Sequence, residues 1–253
     1  MQLSLTNASL TMDTTHAVAD VVPRHAPLPD FVPASSLDIE PLRGQLALAR
    51  RKLKPGEYLY RSGQPFNSLY LVHVGFLKTC ELSRDGREQV TGFRMRGELL
   101  GVESIGLDAY SCDVVSLDDA EVWCLPYAPV LGVCRGDAAM QARLAATLAD
   151  EIRRNRSWML TIGTLAAEHR VAAFLLDFAA RHARLGFSSS HFILRMGRAD
   201  IASYLAIQHE TVTRALTRLA QRGLISVMRK EIKLLDIPGL RAYVGGGATA
   251  TVH

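Results

Sequence analysis

No apolar run in this chain approaches the roughly 18 uninterrupted residues that a membrane-spanning helix needs, because charges break every candidate. Residues 1–20 carry neither a basic start nor a compact apolar block, so no signal peptide is expected and a cytoplasmic setting is. Cysteine is sparse, with 4 in 253 residues: Cys80, Cys112, Cys124 and Cys134. None forms a C-x-x-C pair, so the common zinc and cluster spacings are missing, and the number is too small for a disulfide scaffold. They read as small core or surface residues, with a redox-active pair as the alternative. The 8 histidines show no paired spacing with carboxylates, and neither a nucleophile elbow nor a P-loop occurs. No enzymatic activity, metal or cofactor is therefore expected.

What the chain does hold is 48% hydrophobic and 21% charged residues, the balance of a globular protein, and its length favours two domains. The organising stretch is 198–225. Ile201 and Leu205 share a face of one short helical pattern. Val212, Leu216 and Leu219 recur at three- and four-residue steps in a second, after a turn of three or four residues. Gly223 stands where a helix stop belongs. This is the layout of a helix-turn-helix, whose second helix enters the DNA major groove by its first residues. Those residues are His209, Glu210, Thr213 and Arg214, which project together while Val212 and Leu216 point inward. Arg214 can fork onto guanine, Glu210 can accept from cytosine and Thr213 can offer its methyl to thymine. The plainer alternative is a solvated face, with Glu210 and Arg214 in a weak ion pair one helical turn apart.

Residues 224–235 read as two short strands around Arg229 and Lys230, a wing beside the helix pair. Segment 195–233 holds eight basic and three acidic residues, a local +5, whereas the whole chain is only +4. The positive charge sits where phosphates would need it. Arg198, Arg218, Arg229 and Lys230 are the candidate phosphate contacts, which position the protein without reading sequence.

Upstream, residues 1–36 are poor in aromatics and interrupted by prolines, and read as a disordered arm. Residues 42–49 fit a short amphipathic helix. Strand-like runs follow at 58–60, 68–74, 76–82, 88–93, 113–116 and 121–126, separated by turn signals, as in a small barrel or roll. From 137 to 164 the period turns helical. Leu144, Leu148, Ile152, Asn155, Met159 and Ile162 form a stripe that fits a two-stranded seam, flanked by Glu151, Arg153, Arg154 and Arg156 as solvated positions. A helix packed on its own domain would give a similar stripe. Paired half-sites on DNA favour the homodimer. Residues 165–185 form another helix with Val171, Phe174, Leu175 and Phe178 inward. The tail after Leu240 reads as disordered.

The motif HETVTR (209–214), with GRADIASYL (197–205) before it, resembles the CRP/FNR family of bacterial transcription regulators, nearer the FNR branch. The resemblance extends over most of the chain. It implies an α+β protein: a disordered arm (1–36), an N-terminal β-roll like a cyclic-nucleotide-binding domain (37–136), a long dimerisation helix (137–164), a C-terminal winged helix-turn-helix domain (165–242) and a disordered tail (243–253). It also implies a homodimer on an interrupted palindrome with half-sites like TTGAT, and contact with RNA polymerase through exposed roll loops such as 83–87. The arm lacks the cysteines by which FNR proteins hold an iron–sulfur cluster. GELLGVES (97–104) resembles the family's phosphate-binding cassette, whose Glu grips a ribose hydroxyl. The cassette's arginine is missing, since the matching place reads AYS (109–111) and no Arg or Lys occurs over 97–128. Burying a phosphate without a paired cation is costly, so cyclic AMP binding is not expected. On residues alone, a small-ligand-binding regulatory module and a non-specific architectural DNA-binding protein remain the rival readings.

Overall fold

The structure is a computed structural model that describes residues 37, 39–83 and 85–246. The expected disordered arm (1–36) and residues 247–253 of the expected tail lie outside the described residues. Eight strands build the first domain: β1 (Ala49–Leu53), β2 (Tyr58–Tyr60), β3 (Ser68–Val74), β4 (Leu77–Leu82), β5 (Glu88–Arg94), β6 (Leu99–Leu100), β7 (Asp113–Ser116) and β8 (Ala120–Pro126). They form two four-stranded antiparallel sheets, in the orders β1-β8-β3-β6 and β2-β7-β4-β5. Alternation explains the arrangement: Val72 and Val122 from one sheet and Leu77 and Val114 from the other are buried in one cluster between them. Gly75 closes the β3–β4 corner at φ 90°, where a Cβ would lie 2.6 Å from that of Ala120.

The outer face of the first sheet is covered by α1 (Glu40–Arg43), α2 (Tyr127–Gly136) and the start of α3 (Ala138–Thr164), through Leu42, Leu69, Leu125, Val130 and Met140. Helix α1 ends at Arg43, well short of the helix expected over 42–49, and Ala49 already belongs to β1. Pro41 starts α1 and Gly44 follows its last turn, so little favours its continuation. Strand β1 carries Arg50, Arg51 and Lys52 with only Leu53 buried, so it shows no apolar alternation.

Helix α3 begins at an Asp137 cap, whose carboxylate accepts from the Ala139 and Met140 amides at 2.9 and 3.0 Å. Two heptad stripes run along it, one residue apart. The inner stripe, Met140, Leu144, Thr147, Arg154, Trp158 and Thr161, is buried against the chain's own domains. The outer stripe is the expected seam from Leu148 onward, and Ile152, Asn155 and Met159 are exposed. Leu144 therefore belongs to the intramolecular core. Arg154 corrects the sequence reading. It is no solvated flank but 4% exposed, because buried carboxylates neutralise it.

The second domain comprises α4 (Ala167–Arg184), α5 (Arg198–Tyr204), α6 (His209–Gln221), α7 (Ile237–Gly246) and a three-stranded sheet in the order β10-β11-β9. Its strands are β9 (His191–Ile193), β10 (Ile225–Met228) and β11 (Glu231–Leu234). Helix α7 overturns the reading of a disordered tail from 243 as far as Gly246, since Leu240 and Val244 are fully buried beside α4. Val90, Phe93 and Met95 of the roll join Phe174, Phe178, Ile201 and Leu216 in one continuous apolar cluster. That shared core sets the two domains against each other. The expected α+β architecture, roll, long helix and winged helix-turn-helix, is the one observed.

Candidate nucleic-acid interface

Helix α5 opens with a one-sided cap from its third residue. The Gly197 amide donates to Asp200 Oδ2 at 2.9 Å. It stops at Leu205, and the next residue, Ala206, takes a left-handed conformation, φ 52°. The Ala206 and Ile207 amides then reach back to Ser203 and Ala202 carbonyls, which satisfies the helix end and turns the chain into α6. Val212, Ala215, Leu216 and Leu219 bury one face of α6. Its end is closed the same way at Gly223, φ 72°, with Leu224 N donating to Leu219 O at 3.1 Å.

The opposite face carries the four sequence-selected residues. His209, Glu210, Thr213 and Arg214 are all exposed on the first two turns of α6. Thr213 Oγ1 donates back to His209 O at 3.3 Å, so its hydroxyl is engaged with the helix. Glu210 lies 3.2 Å from His209 Nε2, and Arg214 donates to Thr211 Oγ1 at 3.2 Å. Among the described residues no Glu210–Arg214 ion pair forms, so the one-turn pair that a merely solvated face would use is missing. The Arg214 guanidinium has no acidic partner there and stands open to solvent.

The phosphate candidates separate into two groups. Arg229 and Lys230 form the two-residue tip between β10 and β11 and are exposed, with Arg229 at φ 58°. Arg198 braces that tip by donating to Arg229 O at 3.2 Å, and Lys230 Nζ reaches Arg195 O at 3.4 Å. Arg218 is different: it is ion-paired with Glu168 of α4, which also accepts from Tyr243 at 3.2 Å. Its charge is already matched inside the domain.

Sequence reasoning missed a cluster at the junction of roll, α3 and α4. Glu98 Oε1 accepts from Arg181 Nε at 3.0 Å and from Arg154 Nη1 at 3.3 Å. Glu98 Oε2 accepts from Arg181 Nη2 at 2.7 Å and from the Met95 amide at 3.1 Å. Asp177 lies 3.4 Å from Arg154 and 3.6 Å from Arg181. A signal for it exists in the sequence: Asp177 and Arg181 stand four apart, bracketing Phe178 on the apolar face of α4.

Next to this cluster a cavity of about 550 Å³ opens between the roll and α3, lined by Thr79, Thr91, Arg94 and Glu103 on one side and Ile152, Asn155, Met159 and Ile162 on the other. A cyclic nucleotide does not fit the residues present. Glu98 is saturated by other donors, and the cation in the lining, Arg94, is tied to Glu151 of α3. The thiols are sheltered too. Burial pushes Cys80 up to about 12 and raises Cys112, Cys124 and Cys134, so each is held protonated. No group of three or more metal-ligating side chains occurs among the described residues.

The profile of the Crp-like helix-turn-helix domain matches residues 169–243, and that of the cyclic nucleotide-binding domain matches 50–137. The transcriptional regulatory protein Btr of Bordetella pertussis is 33% identical over 236 residues, 93% of this chain and 96% of its own. The chain belongs to the CRP/FNR family of transcription regulators. The transcriptional activator Anr of Pseudomonas aeruginosa is 36% identical over 196 residues, covering 78% of this chain and 80% of Anr. Among solved structures, FixK2 from Bradyrhizobium japonicum superposes with a TM-score of 0.71 at 27% identity, over 82% of this chain and 100% of that one. Membership makes this chain a transcription regulator with a DNA-binding helix-turn-helix. No enzyme family is among these relatives. No described helix is long and apolar enough to cross a membrane.

Proposed function

We propose that the protein acts as a homodimer that reads an interrupted palindrome with TTGAT-like half-sites, one α6 helix to each half-site. The observation that carries this reading is the open face of α6, where Arg214 and Thr213 stand exposed without the Glu210–Arg214 pair. Arg214 supplies a two-bond fork for guanine, Glu210 accepts from the paired cytosine and Thr213 contacts a thymine methyl. Arg198, Arg229 and Lys230 hold the backbone on the wing side, and Arg218 joins them only by giving up Glu168. The second copy is supported by the outer stripe of α3. Ile152 and Met159 are 54% and 73% exposed in one chain, a large apolar cost that a partner helix would remove. Ser83, Asp85, Gly86 and Arg87 are exposed in a roll loop that we propose as the contact for RNA polymerase, and likeness to proteins named activators supports an activating role.

The test is titration of reduced protein against a fluorescent TTGAT-type palindrome and a scrambled duplex at physiological salt. Selectivity of about 10³-fold or more is the expected result for specific recognition. Equal weak binding to both duplexes overturns the assignment of the operator.

A further inference from the structure

Glu98 is the second residue of the segment that resembles a phosphate-binding cassette, where the resemblance gives a Glu to a ribose hydroxyl. Here its carboxylate is turned to protein donors. Both of its oxygens are saturated by four donors: the Met95 amide in its own loop, Arg154 of α3 and the two-pronged guanidinium of Arg181 from α4. The side chains of Glu98, Arg154, Asp177 and Arg181 are 4–8% exposed, and their two positive and two negative charges balance. Arg181 also donates to Phe93 O of β5 at 2.7 Å, so one side chain of the DNA-binding domain is fixed at two points on the roll. A bidentate fork restrains angle as well as distance. Helix α4 packs in one core with α6 through Phe174, Phe178 and Leu216. Its orientation therefore sets the orientation of the recognition helix.

We propose that Glu98 is a positioning residue for DNA recognition: from inside the roll it holds α4, and with it α6, in one orientation, in the place where the family's cassette would grip a ligand. The inference rests on the reading of the chain as a dimer on paired half-sites. A second line of contact, the Val90 amide donating to Ser203 Oγ of α5 at 2.8 Å, closes beside the anchor and reports whether the domains are docked. A cyclic nucleotide reaching Glu98 would have to displace Arg181 or Arg154 from a buried carboxylate. The anchored arrangement therefore binds DNA without such a ligand.

The test compares full-length wild type with Glu98→Gln and with Arg181→Lys, which keeps the charge but loses the fork. Palindromes with the natural spacer and with one base pair added or removed are titrated, because half-site spacing reads the relative placement of two recognition helices. Exchange of the Val90 amide is followed in parallel by hydrogen–deuterium mass spectrometry. Wild type is expected to prefer one spacer by about tenfold or more, with each changed half-site costing a comparable factor. Both variants are expected to lose most of the spacer preference while keeping half-site base preference within about twofold, and to exchange Val90 about tenfold faster. Millimolar cyclic AMP is expected to leave wild-type binding unchanged. Unchanged spacer preference and Val90 protection in the variants overturn the proposal, as does a gain of wild-type affinity with cyclic AMP. If Glu98→Gln fails to unfold cooperatively, Arg181→Lys decides. A wild type that does not distinguish TTGAT from scrambled DNA sinks the operator reading, and Val90 exchange still decides the anchor.

Discussion

Lys78 of the roll and Asp200 of α5 meet at 2.9 Å across the domain boundary, 122 residues apart in sequence. Asp200 divides its work: Oδ1 takes the Lys78 ammonium while Oδ2 caps α5 through the Gly197 amide. Burial opposes the charge on Lys78, yet its bonds to Glu88 and Asp200 hold it above the usual ammonium range. Asp200→Asn keeps an acceptor for the cap and loses the ion pair, whereas Asp200→Ala loses both. The alanine variant is expected to be less stable than the asparagine variant by about 1 kcal/mol, the usual worth of an N-cap. Urea unfolding measures it, and equal losses would show that the cap contributes nothing.

Arg214 and Arg229 should fail in different ways. Arg214→Ala is expected to lose about 1–3 kcal/mol of discrimination at one base pair per half-site, since the base-edge fork disappears. Arg229→Ala at the wing tip is expected to weaken all duplexes about equally and to reduce the salt slope by about 1. Binding isotherms over a salt series separate them. Uniform weakening by Arg214→Ala would move that residue to the phosphates.

The helix-turn-helix and most roll strands were legible because their signals are local. Residues 68–71 and 113–116 alternate half-buried and buried positions, and α6 repeats its apolar residues at helical steps. The wing strands were legible on either side of Arg229 and Lys230. Strand β1 escaped because an edge strand with Arg50, Arg51 and Lys52 exposed carries charge in place of an apolar pattern. The inner stripe of α3 escaped for a related reason. Thr147, Arg154 and Thr161 are polar: the two threonines are satisfied by carbonyls one turn back in α3, and the burial of Arg154 depends on partners elsewhere in the chain, Glu98 and Asp177. Periodicity reports which face is apolar; it does not report which charges find a buried partner.

Ala206 stores strain in the turn between α5 and α6. Its φ of 52° costs a residue with a Cβ about 1–2 kcal/mol. Glycine removes that cost but adds unfolded-state entropy of about 0.5–1 kcal/mol. Ala206→Gly is therefore expected to stabilise the domain by about 0.5–1 kcal/mol, seen as a raised thermal midpoint. A lowered midpoint would mean that the Ala206 methyl makes compensating contacts.

Met159 tests the outer stripe of α3. At 73% exposure it contributes little to the fold of one chain, so Met159→Glu is expected to change its stability by no more than about 0.5 kcal/mol. Two facing glutamates in a helical seam would repel, and dimer affinity is expected to fall by about 100-fold or more. Sedimentation velocity over a dilution series reads this. A dimer of unchanged affinity would place the seam elsewhere.

Glu98 gives the protein a defined response to acid. Burial disfavours its carboxylate, but Arg181, Arg154 and Arg94 outweigh burial and hold its pKa at about 2, against an ordinary 4.5. A carboxylate depressed on folding binds its proton more readily in the unfolded chain. Its contribution is therefore full above the ordinary value and is lost as pH falls towards 2. Glu88, lowered chiefly by its bond to Lys78, acts in the same direction. Glu98→Gln removes the first titration and leaves the second. Between about pH 5 and about pH 3 the wild type is expected to lose stability more steeply than the variant, by up to about 1.4 kcal/mol per pH unit. Urea midpoints across that range give both slopes. Parallel slopes would mean that Glu98 takes up its proton at the same pH folded and unfolded, and that the buried arginines do not hold its charge.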